Sequence, residues 1–249
     1  MKKGRAAMLA SLAVLHGACT PGRLDAIDLP STTVGLIAHY TFDEDGGTVV
    51  VDHSGNHHDG VLVGGAWISD GRFGGALHFD GESYVTVDDF PDAPASFSVS
   101  TWVRVAGFGD DAGLETVTST EYVFDAGWQL NVAGPSDASP YFQAAYWDRV
   151  ASQYTYSDCP CLPENVWTHF AFVLDGTAHT LSTYVNGALD SLVSAPDPIT
   201  PGTPALSMGR WSMPGRMLVG DLDDMTIYGR ALAIGEIQSL QQAPPPDVP

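Results

Sequence analysis

Apolar and polar positions alternate with a period of two along much of the chain, the pattern of half-buried strands. The clearest run is Phe97–Val105, in which Phe97, Val99, Thr101, Val103 and Val105 point to one side. Further runs lie at 35–42, 76–79, 84–87, 128–132, Tyr141–Trp147, 167–174, Thr180–Val185, 205–209 and 217–228. Turn residues separate them: Asp80-Gly81-Glu82, Asp175-Gly176, and Asn186-Gly187, the strongest hairpin signal in the chain. Helical periodicity appears only at 233–242. Strands at short intervals with Gly and Asp turns predict an all-β sandwich of Greek-key or jelly-roll type with one short C-terminal helix.

Composition narrows the function classes. The 249 residues suffice for one large all-β domain with tails. Only 16% are charged, and 10 basic residues against 30 acidic ones give a net charge of -20. Such a field repels phosphate backbones and anionic lipid surfaces, which argues against nucleic acid as a partner. It is compatible with divalent cations, neutral glycans and basic partners, and equally with a plain role in solubility.

The first 19 residues read as an export signal. Lys2, Lys3 and Arg5 precede an apolar stretch at 6–15 that is too short to span a bilayer. Gly17 and Ala18 before Cys19 resemble a bacterial lipobox, although His16 stands where that motif prefers Leu. An acylated Cys19 would anchor the protein at the bacterial cell envelope, with lipid as its only contact with the membrane; the alternative is a secreted protein. Residues 20–34 read as a flexible tether, 35–242 as the domain and 243–249 as a disordered proline-rich tail. In an exported chain Cys159 and Cys161, which flank Pro160, would form a small disulfide; free thiols are the alternative.

Several segments resemble, in order and spacing, a laminin-G-like domain of the concanavalin A-like lectin and glucanase type. They are Tyr40-Thr41-Phe42-Asp43, Asp52-His53-Ser54-Gly55-Asn56, Ala76-Leu77-His78-Phe79-Asp80-Gly81, Phe97 to Val103, Trp167-Thr168-His169-Phe170-Ala171, Tyr184-Val185-Asn186-Gly187 and Gly220 to Tyr228. The resemblance covers 35–242 and implies a concanavalin A-like jelly roll in which the first and last strands are neighbours. It also implies a structural calcium held by an acid at Asp223.

Calcium takes six to eight oxygen ligands from carboxylates, amides and carbonyls. Asp43, Asp52, Asn56 and Asp223 are the candidate ligands, with Asp224 next; turn capping by these side chains is the competing reading. Sugars bind by stacking on aromatic rings while polar side chains bond their hydroxyls. Trp147, Arg149 and Tyr154, in and after one strand, and Trp211, after another, are the candidate platform; packing in the core is the competing reading.

Glucanases of this fold carry closely spaced Glu and Asp residues on one strand. Glu115 and Glu121, with Thr, Val and Ser between them, do not match that pattern, so no catalytic residues are expected. The sequence thus points to a non-catalytic binding or adhesion module at the cell envelope, carbohydrate-binding and calcium-stabilised. A structural or protein–protein interaction module of the envelope is the alternative, with an envelope or extracellular protein as partner. Fold alone does not choose between them, and the sequence leaves the oligomeric state open.

Overall fold

The computed structural model describes residues 32–106, 114–120, 127–134, 141–147, 152–156, 162–196, 199, 205–211 and 216–248. In chain order the strands are β1 (Leu36–Tyr40), β2 (Val49–Val50), β3 (Gly60–Val63), β4 (Ala66–Ile68), β5 (Ala76–Asp80), β6 (Tyr84–Asp88), β7 (Phe97–Val105) and β8 (Leu114–Ser119). They continue with β9 (Trp128–Ala133), β10 (Tyr141–Trp147), β11 (Ser152–Tyr156), β12 (Thr168–Asp175), β13 (Thr180–Val185), β14 (Ala188–Ser194), β15 (Ala205–Met208) and β16 (Val219–Tyr228). One helix, α1 (Ile234–Gln242), follows.

Two antiparallel sheets stack as a sandwich. The first has the order β14-β13-β12-β7-β16-β5-β4, with β1 also paired to β16; the second has the order β11-β10-β9-β8-β15-β6-β3-β2. Alternation decides which side chains meet between them. Val99, Val103, Phe170, Phe172 and Leu222 of the first sheet share a core with Val85, Leu130, Val132, Phe142 and Tyr146 of the second. Phe142 and Phe170 touch across the gap, their ring centroids 4.2 Å apart. The predicted hairpin is present: Val185 pairs with Ala188, and Asn186 and Gly187 between them both have positive φ (48° and 75°), the backbone that favours this dipeptide.

The outer face of the first sheet is covered by the end of the chain. Ser98 Oγ donates to Arg230 O and accepts from Leu232 N, and Tyr228, Leu232, Ile237 and Leu240 close a second small core over Ala171 and Val173. Glu236, buried in the first turn of α1, receives a bidentate ion pair from Arg230 and the N–H of Ala233.

The proline-rich tail departs from the expectation of disorder. Pro245 is buried, and Val248 donates its N–H to His53 O. Prolines restrict the free tail, so docking it costs little conformational entropy. Among the described residues no helix is long and apolar enough to cross a membrane.

Candidate functional site

β1 and β16 lie side by side, with His39 opposite Thr226 and Tyr40 opposite Met225. On its other edge β16 pairs with β7, but the register slips between Asp223 and Thr226. This bulge puts Asp224 in a left-handed conformation (φ 44°), one that Asp tolerates better than most residues. Asp223 is fully buried, and its Oδ2 accepts the N–H groups of Arg72 (2.5 Å) and Phe73 (2.9 Å). Asp43, just after β1, accepts the N–H of Gly75 at 2.6 Å. The loop 71–75 is therefore pinned at both ends by carboxylates from the two ends of the domain. Gly74 is required in it, because its φ is +91° and a Cβ there would overlap Asp43 Oδ1.

The acids are not fully satisfied. Asp223 Oδ1 and Asp224 Oδ2 are buried with no hydrogen-bond partner. Asp224 Oδ1 lies 3.3 Å from His39 Nε2. Burial, and then the neighbouring Asp224, push the Asp223 carboxyl up to about 8, against the pull of the Phe73 and Arg72 N–H groups. Burial also raises Asp224; His39 counteracts this, and the nearby charge of Asp43 adds to it. Two orphaned carboxylate oxygens in a region of uncompensated negative charge fit a hard cation. Among the described residues no three His, Cys, Asp or Glu side chains are arranged to hold a metal by themselves. Asp43, Asp223 and Asp224 would therefore need main-chain carbonyls to complete calcium coordination.

Beside this cluster opens a cleft of about 480 Å³. Asp43, Glu44 and Asp45 line it from the segment after β1, Trp67 and Ser69 from β4 and its exit, and Gly74 from the pinned loop. Trp67 packs against the core, and its Nε1 donates to Gly47 O, so the indole is held in place. Glu44 Oε1 accepts the N–H of Val51, while Oε2 is buried without a partner.

A laminin-G-type family model, described as the concanavalin A-like lectin/glucanases superfamily, matches residues 79–238, more than half of the chain. The chain belongs to this superfamily. No curated protein matches it in sequence.

Solved structures share the fold. Domain 4 of the extracellular arabinanase AbnA from Geobacillus stearothermophilus, determined in complex with arabinotriose, superposes with a TM-score of 0.64 at 22% identity, over 83% of this chain and 98% of that one. The binding domain of Paraclostridial Mosquitocidal Protein 1 gives 0.68 at 17% identity, over 84% of this chain and 52% of that one. The binding domain of botulinum neurotoxin DC, in complex with rat synaptotagmin II, gives 0.66 at 15%, over 85% and 52%. This chain spans about half the length of those toxin domains. At these identities the likeness is one of fold.

Within this concanavalin A-like domain the expected ligands divide. Asp43 and Asp223 come together at the loop 71–75, joined by Asp224. Asp52 and Asn56 do not join them. Asp52 is buried and accepts from His39 N, Ser54 N, Ser54 Oγ and His58 N, while the Asn56 amide donates to Leu36 O and Ile37 O. Both hold a turn against β1, as the capping reading has it.

The aromatic platform is also placed differently. Trp147 and Trp211 are buried, at 1% and 5% exposure, and Arg216 lies over the Trp211 ring at 4.2 Å. Buried rings leave no open face for a sugar. The β11 backbone places Tyr154 opposite Ala145. Arg149, Cys19, Cys159 and Cys161 lie outside the described residues.

On the outward face of the second sheet a polar row runs across three strands: Thr116 Oγ1 donates to Asn131 Oδ1, and Asn131 Nδ2 to Gln143 Oε1. Sequence reading missed this row, and it missed Trp67, Glu44 and Asp45. The signal for the cleft was present in the acidic run Asp43-Glu44-Asp45 and in an aromatic residue directly after Gly64-Gly65-Ala66.

Proposed function

We propose that this domain is a non-catalytic, calcium-stabilised binding module that takes a glycan in the cleft beside Trp67. The observation that carries the reading is the cleft itself, in which a fixed indole shares the lining with three carboxylates and a serine hydroxyl. An indole offers an apolar face to a sugar ring, and carboxylates accept its hydroxyl protons. Arabinotriose in the AbnA domain, and the dependence of botulinum neurotoxin type C cell entry on two ganglioside molecules, support sugar as the ligand class on this fold. Calcium at Asp43, Asp223 and Asp224 would supply the positive charge that the buried oxygens of Asp223 and Asp224 lack, and it would tie the first strand to the last. Lipid attachment through Cys19 would display the module at the bacterial cell envelope.

The test is a glycan array with the full chain in the presence of calcium, repeated with Trp67→Ala. A set of glycans bound by the native chain and lost in the variant is expected. Array signals that are unchanged in Trp67→Ala, or absent in both, would overturn the reading.

A protein-interaction role has one observation in its favour. Val49, Val61 and Val63 are exposed together on β2, the edge strand of the second sheet, and on its neighbour β3. Crosslinking on envelope preparations, with Val61→Lys as the control, tests that role.

A further inference from the structure

Building on the cleft reading, we infer that the ligand class is a cationic glycan: a chain of amino sugars carrying free ammonium groups. The inference begins with where the domain's own positive charge goes. The sequence contains only two lysines, Lys2 and Lys3, both at the extreme N-terminus. Each of the five arginines among the described residues lies over an aromatic ring: Arg72 over Trp102, Arg104 over Trp167, Arg210 over Tyr84, Arg216 over Trp211 and Arg230 over Tyr228. Arg104 is further occupied by ion pairs to Asp70 and Asp221, and Arg230 by its pair with Glu236.

Only two tryptophans are not buried, Trp67 and Trp167, and of these Trp167 is covered by Arg104 while Trp67 is not. Over Trp67, among the described residues, stands no cation; it shares the cleft with Asp43, Glu44 and Asp45, and no basic side chain is in the lining. One oxygen of Glu44 is held by Val51 N–H and the other is unpartnered, so the carboxylate is fixed in direction and only half satisfied. The chain places a cation over an indole internally three times, and in the Arg104–Trp167 case that cation is also paired to carboxylates; at Trp67 the same chemistry is left open.

A neutral sugar would satisfy the indole but leave Glu44 and Asp45, the lining carboxylates outside the calcium ligand set, uncompensated. An amino sugar satisfies both, since its ring face covers the indole and its ammonium group donates to the carboxylates. The net charge of -20 favours the approach of such a polycation over longer range. A basic polypeptide offers the same charge but not the flat, hydroxyl-bearing ring, so it is an outcome of the test rather than part of the proposal.

The experiment compares two oligosaccharides that differ only in acetylation, tetramers of glucosamine and of N-acetylglucosamine. They are titrated into the full chain by calorimetry at mildly acidic pH with calcium present. The expected result is binding of the glucosamine tetramer about tenfold or more tighter than its acetylated counterpart. That preference should disappear in Glu44→Gln/Asp45→Asn, and binding of both should disappear in Trp67→Ala, with thermal unfolding showing that each variant is folded.

Equal binding of the two tetramers, with both lost in Trp67→Ala, would overturn the amino-sugar assignment and leave the glycan reading standing. Binding of neither tetramer, when the array shows other sugars, would do the same. Tighter binding of an oligoarginine peptide that depends on Trp67 would overturn the assignment in favour of a protein ligand.

Discussion

His39 Nε2 lies 3.3 Å from Asp224 Oδ1, with both side chains buried, and this contact joins the first strand of the domain to its last. The main-chain N–H of the same histidine donates to Asp52, so one residue links the turn after β2 to the acid cluster on β16. Removing the ring leaves a cavity and a buried carboxyl group that loses its partner. His39→Ala is expected to destabilise the domain by about 3 kcal/mol. Because Asp224→Asn removes the charge that the ring answers, the double variant should lose less than the sum of the two. Urea unfolding of the four proteins measures that coupling, and strictly additive losses would show that the contact is energetically idle.

Two buried groups give stability opposite dependences on pH. Asp223 is raised to about 8 by burial and by Asp224, whereas an unfolded aspartate titrates near ~4. Between those values the folded state holds a proton that the unfolded state has released, so stability falls as pH rises. His169 is lowered to about 3 by burial, against ~6.5 when unfolded. Over that range the unfolded state holds the extra proton, and stability falls as pH falls. From pH ~6.5 to ~8 the His169 slope is spent and the Asp223 slope remains. In EDTA the melting temperature should therefore decline across this interval in the native chain and decline less in Asp223→Asn. Calcium should flatten it as well, because it favours the ionised carboxylate. A native melting temperature that rises with pH in EDTA would refute the assignment.

The strand pattern was legible where one face alone decides the fold. In β7 each odd residue from Phe97 to Val105 meets the core, as the alternation requires. β8 was not legible, because its apolar residues Leu114 and Val117 stand three apart, out of step with a period of two, and its register slips between Thr116 and Thr118. Short edge strands such as β2 and β4 carry too few residues to show any period. For the site, Asp43 and Asp223 could be picked because Asp43 follows the first strand and Asp223 belongs to the last, which the resemblance makes neighbours. Asp52 and Asn56 could not be excluded from sequence, since an aspartate that caps a turn and one that binds calcium occupy similar Gly-containing loops. Trp147 looked available because a strand's outward face is usually solvated, yet here its ring is buried.

Glu236 ties α1 to the sheet through two bonds from Arg230 and one from Ala233 N–H, and it is only 2% exposed. Glu236→Ala strips the partner from a half-buried guanidinium and the cap from the helix. A loss of about 2–3 kcal/mol is expected in urea unfolding. Glu236→Gln, which keeps the cap but not the charge, should lose about half of that. An equal loss in both variants would assign the whole effect to the ion pair.

Asp52 and Asp223 provide the sharpest separation of capping from metal binding, because both are buried acids in adjoining parts of the fold. Asp52 spends its oxygens on three main-chain N–H groups and one hydroxyl. Asp52→Ala orphans those donors and should cost about 2–3 kcal/mol, with or without calcium. Asp223 keeps one oxygen on Arg72 and Phe73 and leaves the other unpartnered. Asp223→Asn removes a buried charge that nothing in the described residues neutralises, so its melting temperature in EDTA near pH 8 should equal or exceed that of the native chain. Its rise on adding millimolar calcium should vanish, whereas Asp52→Ala should retain that rise in full from a lower baseline. If Asp52→Ala also lost the calcium response, the ion would have to be placed in the turn at 52–56, and the two orphaned oxygens of Asp223 and Asp224 would need another partner.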